Sequence, residues 1–280
     1  MTTTDLRHTA PADDTRRAHA DALVAFRAAV ERSAELWRRT PAPNAPVPGL
    51  TWSAAQTAAH MVGDLTEYTE GLEGHSVAAV GSGSPSKRSA AANARHLEMV
   101  GERDMRRLAD TLEEQAVRYI DAASNVDEGT SIHTANGLVL TPPIMTCLLL
   151  GEQLVHGLDI ARAGRARWCI SRADALLVIP GVLTVAPQYV HPTRSANESV
   201  SFELRIRGGG RYRLAVHHGT AEITAAGEKA DCVISADPVA FLLVGYGRIA
   251  QWRPIIGLNM MAFGRKPWLA TKFGSLISSP

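Results

Sequence analysis

Between residues 14 and 164 the apolar positions recur with a helical period, and after residue 167 the period shortens to two. Leu23, Phe26, Val30 and Trp37 fall at spacings of 3, 4 and 7, one stripe of a helix that the pattern starts near Asp14. Residues 1–12, MTTTDLRHTAPA, carry no periodicity and read as a loose arm. Pro41, Pro43, Pro46 and Pro48 end the first helix, because proline lacks the amide proton and restricts the residue before it. The next helix opens at Thr51-Trp52-Ser53, where Ser53 and Gln56 have capping-box spacing; Ala58, Val62, Leu65 and Leu72 form its apolar stripe. A turn-rich loop follows, VGSGSPSKRSAAN, and then one long helix is predicted over about 91–123, buried through Leu97, Val100, Leu108, Leu112 and Ile120. Asn125 to Leu140 reads as an irregular crossover with short β-like pieces, and Pro142-Pro143 opens a last, very apolar helix. Four principal helices by about Gly164 predict an antiparallel bundle.

Beyond Arg167 a short helix is expected over about 172–189. In VSFELRIR, Phe202, Leu204 and Ile206 alternate with Glu203, Arg205 and Arg207, as in a half-buried strand. Gly208-Gly209-Gly210 and the alternating RYRLAVHH complete a hairpin; TAEIT and CVISA add two strands. Asp237-Pro238 then caps a helix, VAFLLVGYGR. The fold class expected is α plus α+β: a four-helix bundle over 13–167 and a smaller antiparallel sheet with helices on one face over 168–280.

Composition narrows the partners. Hydrophobic residues at 45% and charged residues at 20% suit a folded chain, and 280 residues suffice for two cores. With 29 basic and 28 acidic side chains spread along the sequence, no global field favours nucleic acid or anionic lipid. No Lys/Arg-led apolar segment opens the chain, and the apolar run Ile144–Leu150 falls short of the ~20 residues of a membrane span, so a cytoplasmic address is expected. The three cysteines, Cys147, Cys169 and Cys232, form no CxxC pair, which argues against disulfides and a thiolate metal site.

The last bundle helix carries the chemistry. Glu152, His156 and Asp159 stand at i, i+4 and i+7, opposite Cys147, Leu150, Leu154, Leu158 and Ala161. An ionised carboxylate in such a helix needs compensation, either by a hydrogen-bonded His156 or by a metal ion. On the second helix His60, Asp64 and Glu67 share a stripe, which is either a solvated polar face or the other half of a metal site. Two imidazoles and one carboxylate would leave positions open, as a catalytic divalent metal requires. Asp159 suits a supporting or helix-end role better than direct ligation.

TWSAAQTAAHMVGDL resembles the entry to the metal-binding helix of the DinB-like bundle superfamily, and GEQLVHGLDIARAGR is similar to the last bundle helix of its mycothiol-dependent maleylpyruvate isomerase branch. The resemblance implies zinc held by His60, Glu152 and His156. ADCVISADPVAFLLVGYGR and FGRKPWLATKFGSLI resemble the sterol carrier protein-like domain that accompanies the bundle in this branch. It further implies mycothiol as a thiol cosubstrate, with cis-trans isomerisation of a maleylpyruvate-like substrate or S-transfer to another electrophile as the reaction. The branch isomerase uses a basic residue of the second domain; Arg205, Arg207 and Arg248 are the candidates here, with Arg211 and Arg213 beside them, and each also fits a solvated surface position. His217 and His218 adjoin at a strand end, where alternation turns only one of them inward. None of the three cysteines sits in a nucleophile motif, so a thiol-dependent reaction needs an exogenous small thiol. The rival expectation is a carrier of a lipid-like molecule, in a cavity built from Leu242, Leu243, Ile255, Ile256, Met260, Met261 and Phe263.

Overall fold

Helix α1 (Ala12–Arg38) opens the part of the chain, residues 12–277, that this computed structural model describes. The arm expected over residues 1–12 lies outside the described residues except for Ala12, the first residue of α1. Phe26, Val30 and Trp37 are buried along α1, as their spacing requires. Helix α2 (Ala54–Leu72) starts at a complete capping box: Ser53 Oγ accepts from Gln56 N–H at 3.2 Å, and Gln56 Oε1 accepts from Ser53 N–H at 2.9 Å.

The single helix expected over 91–123 is two. Helix α3 (Pro85–Met99) begins inside the expected loop, with Ser84 as cap and Pro85 at its first turn, and α4 (Met105–Asn125) follows after a five-residue break. Arg103 donates to the carbonyls of Leu97 and Val100 and so satisfies the end of α3, while Asp104 accepts from the amides of Arg106 and Arg107 and starts α4. A small hairpin, β1 (Ile132–His133) and β2 (Val139–Leu140), leads to α5 (Pro142–Ala163). Helices α1 and α2 each pack on α4 and α5, which makes the four-helix bundle; α3 lies against α2 as an extra helix. By length and composition α5 could cross a membrane, but 83% of its apolar window is buried inside this unit, the setting of a bundle's central helix.

The chain divides into two compact units, with Ala12–Ile170 forming the first and the second starting at Ser171. The second comprises α6 (Arg172–Val185), a 3₁₀ turn over Ala186–Tyr189, the short α7 (Pro192–Ser195), β3 (Ser199–Ile206), β4 (Arg211–His217), β5 (Thr220–Ala225), β6 (Cys232–Ala236), α8 (Pro238–Gly245), α9 (Trp252–Ile256), β7 (Met260–Phe263) and α10 (Ala270–Leu276). Its sheet has the order β5-β4-β3-β6-β7. Phe202, Leu204, Ile206, Leu214, Val216 and Ile234 face one core with Ile179, Phe241 and Leu276 of the helices. The sheet is mixed and not purely antiparallel: β6 lies parallel to β3, Phe202 opposite Cys232 and Ile206 opposite Ala236. The segment after β5 carries the chain to the far side of β3, where Asp231 N–H donates to Ser201 C=O and the Asp231 carboxylate accepts from Ser201 N–H. Period-two alternation specifies faces; it carries no order or direction.

The cavity expected from Leu242, Leu243, Ile255, Ile256, Met260, Met261 and Phe263 does not form. Leu242 and Met260 are buried, whereas Ile255, Ile256, Met261 and Phe263 are exposed. Trp252, Leu258 and Trp268 are exposed beside them in sequence, so seven large apolar side chains reach solvent between residues 252 and 268. An apolar cavity of about 90 Å³ exists elsewhere in this unit, lined by Val182, Val185, Leu214, Phe241, Val244 and Phe273 among others.

Candidate metal centre

The adjacency of α2 and α5 brings His60 to Glu152 and His156. Among the described residues these three alone form a group of His, Cys, Asp or Glu able to hold a metal ion, with one ligand atom from each lying within 4.8 Å of the others. Glu152 Oε2 lies 3.0 Å from His156 Nε2 and 3.5 Å from His60 Nε2. Zinc ligands at roughly 2.0–2.2 Å from the ion stand about 3.3 Å apart in a tetrahedron, so these two separations bracket the value a shared ion needs. The imidazole and carboxylate donors suit zinc or a similar divalent ion, and three protein ligands leave a position free.

Both faces of α2 and α5 are buried at this level. His60 and His156 are 4% and 7% exposed, so the solvated-face alternative for His60 does not hold; Glu152, with a side chain 22% exposed, is the most open of the three. Glycines and a tryptophan set the packing. Gly157 lies next to His156, and a Cβ there would come within 2.2 Å of the Trp168 ring, whose Nε1–H donates to Leu154 C=O at 2.9 Å. Arg32 stacks on the same indole at 4.6 Å from the ring centroid.

Each histidine is held on its far side. His156 Nδ1 is 3.0 Å from Asp159 Oδ2, the supporting role expected for Asp159, which is fully buried. His60 Nδ1 meets His96 Nδ1 at 3.2 Å; His96 Nε2 is 2.9 Å from Glu67 Oε2, and Glu67 Oε1 accepts from Ala135 N–H at 2.8 Å. His96, on α3, was not found by sequence reasoning. Its signal was Gly63, one helical turn after His60 in the interior of α2, where glycine costs about 1 kcal/mol relative to alanine and so implies a close neighbour. That neighbour is His96: a Cβ on Gly63 would lie 2.6 Å from the His96 Cβ.

Burial sets the charges. It lowers His60 to about 4 against the opposing hydrogen bond with Glu152, so His60 is neutral at pH 7. Burial also opposes charge on Glu152 and His156, but their mutual attraction wins: Glu152 is held well below the usual carboxylate range, and His156 is raised to about 9 with help from Asp159. Of the two compensations open to Glu152 in the sequence, the histidine partner therefore suffices without a metal. Asp64, on the same side of α2, is raised by burial to about 7, with Glu152 and Glu67 adding to the rise.

The candidate arginines belong to the second unit. Arg205 pairs with Glu203 at 2.8 Å and covers the Phe263 ring; Arg211 reaches the same carboxylate. Arg207 donates to Leu258 C=O, Arg248 to Tyr246 C=O, and Arg213 lies 3.5 Å from Glu228. Exposed His217 bonds Ser199, and His218, at φ 43°, lies near Ala196 C=O. Cys147 and Cys232 are buried and Cys169 is exposed; burial pushes the Cys232 thiol up.

No protein-family model matches the chain, and no curated protein does. Among solved structures, the crystal structure of the mycothiol-dependent maleylpyruvate isomerase aligns with a TM-score of 0.51 at 14% identity, covering 89% of this chain and 96% of that chain. A crystal structure of a mutant of that isomerase aligns with a TM-score of 0.50 at 12% identity over the same shares. At such identities the likeness is one of fold: the helical unit followed by the mixed-sheet α+β unit is the architecture of that isomerase.

Proposed function

We propose that the chain is a zinc enzyme that uses a small thiol, mycothiol, for cis-trans isomerisation of a maleylpyruvate-like substrate. The observation that carries this reading is the convergence of His60, Glu152 and His156 within 4.8 Å at one level of the bundle. The fold shared with the mycothiol-dependent isomerase supports it. These three side chains would hold the ion, and when bound it would supply Lewis-acid chemistry at an open position, favouring the thiolate over the thiol. Asp159 fixes the ring of His156, and the apolar side of α5 limits water around the site.

Isomerisation needs addition of the thiol sulfur to the cis double bond, rotation about the resulting single bond, and elimination that returns the thiol and the proton. S-transfer to another electrophile shares the first step. The basic partner in the second unit is proposed among Arg205, Arg207 and Arg248, of which Arg205 is already committed to Glu203. The likeness of that unit to a sterol carrier protein-like domain belongs to the same proposal. A carrier role is the weaker alternative: the apolar cavity of about 90 Å³ is below the roughly 300–1,000 Å³ of ordinary ligand pockets.

The deciding experiment is elemental analysis of the purified chain followed by turnover assays with mycothiol and cis-enedioyl acids. About one zinc per chain and thiol-dependent isomerisation are expected. A chain that takes up no divalent metal would sink the reading.

A further inference from the structure

We propose that the edge of the second unit formed by α9, β7 and the 3₁₀ turn Pro267–Leu269 is a docking face for an anionic lipid surface. The inference is independent of the metal reading above.

The charge pattern of the sequence singles out this part of the chain. Asp237 is the last acidic residue; from Pro238 to Pro280 the charged side chains are the cations Arg248, Arg253, Arg265, Lys266 and Lys272. With a formal charge of only +1 the whole molecule exerts little long-range pull on anions, so this local excess acts at contact. Two carboxylates reach these cations from earlier in the chain, and both sit deeper than their partners. Asp231 meets Arg265 and Lys266 with its own side chain 13% exposed against 73% and 41%, and Glu198 meets Lys272 with 24% against 49%. A further cation comes from the end of β3, where Arg207 donates to Leu258 C=O.

Apolar side chains stand among these cations. Ile256, Leu258, Trp268 and Trp252 are 75%, 67%, 65% and 59% exposed. Both α9 and the 3₁₀ turn pack against β7, and β7 is the edge strand of its sheet, so these segments form one continuous border of the unit. Met261 and Phe263, two apart in β7, share one face of that strand and are exposed as well. Arg253 and Arg205 lie over the rings of Trp252 and Phe263, at 5.5 and 5.1 Å from the centroids. Tryptophan, aliphatic tips and cations without acids make the composition of a surface that lies at the boundary of lipid headgroups and acyl chains.

The turn before β7 holds an apolar side chain outward. Leu258 has φ 55°, a left-handed conformation that strains a residue with a side chain. It is held there by hydrogen bonds from Leu258 N–H to Ile255 C=O, from Asn259 N–H to Pro254 C=O, from Asp237 N–H to Asn259 C=O and from Arg207 to Leu258 C=O. A second copy of the chain is a poorer occupant, because a two-fold contact would set these cations against themselves. A bilayer needs no groove to receive protruding side chains, and its anionic headgroups supply the opposite charge.

The test is co-sedimentation of the full chain with vesicles of phosphatidylcholine alone and of phosphatidylcholine carrying about one quarter phosphatidylglycerol. It is run at about 0.1 M and about 1 M salt, between which the screening length falls from about 10 Å to about 3 Å. Wild type should bind the anionic vesicles roughly tenfold or more tightly than the neutral ones and lose that preference at high salt. Ile256→Ser with Leu258→Ser, and separately Arg253→Gln with Lys266→Gln, should each weaken binding about tenfold or more. Val24→Ser with Val117→Ser, equally exposed on α1 and α4, should leave it unchanged. Lipids brominated in their acyl chains should quench tryptophan fluorescence, and less so in Trp252→Phe and Trp268→Phe. Binding to neither vesicle, equal binding to both, or undiminished binding by either double variant of this face overturns the proposal. Without vesicle binding, a concentration-dependent dimer abolished by Ile256→Ser with Leu258→Ser would give the face to a second copy, and binding of polyglutamate would give it to an acidic protein; both overturn the lipid assignment.

Discussion

His156 is the most informative single side chain, because it is charged in the metal-free arrangement and must be neutral to ligate. Raised to about 9 beside Glu152, it carries a proton at pH 7 that an incoming ion has to displace. Zinc binding at pH 7 should therefore release about one proton, read by calorimetry in buffers of different ionisation enthalpy; release of none would contradict the assignment of His156. Replacing His156 by Ala should abolish stoichiometric zinc uptake while the circular dichroism of the folded chain is retained. Asp64 gives a second test at this scale. Its folded pKa of about 7 lies above the 3.8 of the free side chain, so its contribution to stability is complete below about pH 4 and is lost as pH rises through 7. In metal-free protein Asp64→Asn should gain roughly 1–3 kcal/mol on wild type at pH 8 and little at pH 4. A gain independent of pH would show that Asp64 is ionised throughout.

At the scale of elements, what could be read in the sequence followed from local chemistry. Ser53 with Gln56 starts α2, Pro142 starts α5, and the apolar stripes of both are buried except at half-buried Leu158. Helical spacing marked two ionisable stripes, His60, Asp64 and Glu67 on one helix and Glu152, His156 and Asp159 on the other; the family resemblance singled out His60, Glu152 and His156, and these three meet in space. The division between α3 and α4 was not legible: Met99 to Met105 contains only one glycine and otherwise residues that helices accept, and the break is held by long-range side-chain reach from Arg103. His96 was hidden for the same reason, since both of its partners, His60 and Glu67, come from α2. The parallel placement of β6 depends on Asp231 and Ser201, thirty residues apart, which no periodicity encodes. The Gly157–Trp168 contact belongs to this scale too. Gly157→Ala would place a methyl group within 2.2 Å of the indole, and overpacking of this kind should destabilise the bundle by roughly 1–3 kcal/mol. Denaturant midpoints unchanged from wild type would mean that Trp168 gives way freely.

For the molecule as a whole, removing bound zinc should lower the melting temperature, although less than for a site without a built-in counter-ion, because protonated His156 already offsets Glu152. A variant with Cys147, Cys169 and Cys232 all replaced, if folded, should keep activity with added mycothiol and show none without it. Loss of activity in that folded variant would assign the nucleophile to the protein. The exposed stretch from Trp252 to Trp268 has a consequence of another kind, for colloidal behaviour. Seven large apolar side chains reach solvent there, the only charges among them are the cations Arg253, Arg265 and Lys266, and the whole chain has a formal charge of +1 with a sequence pI of about 7.9. Long-range repulsion between molecules is weakest near pH 8, where nothing keeps such patches apart. Light scattering should then find its most negative second virial coefficient near that pH, with concentrated stocks clearing at pH 6.5, where added positive charge holds the molecules apart.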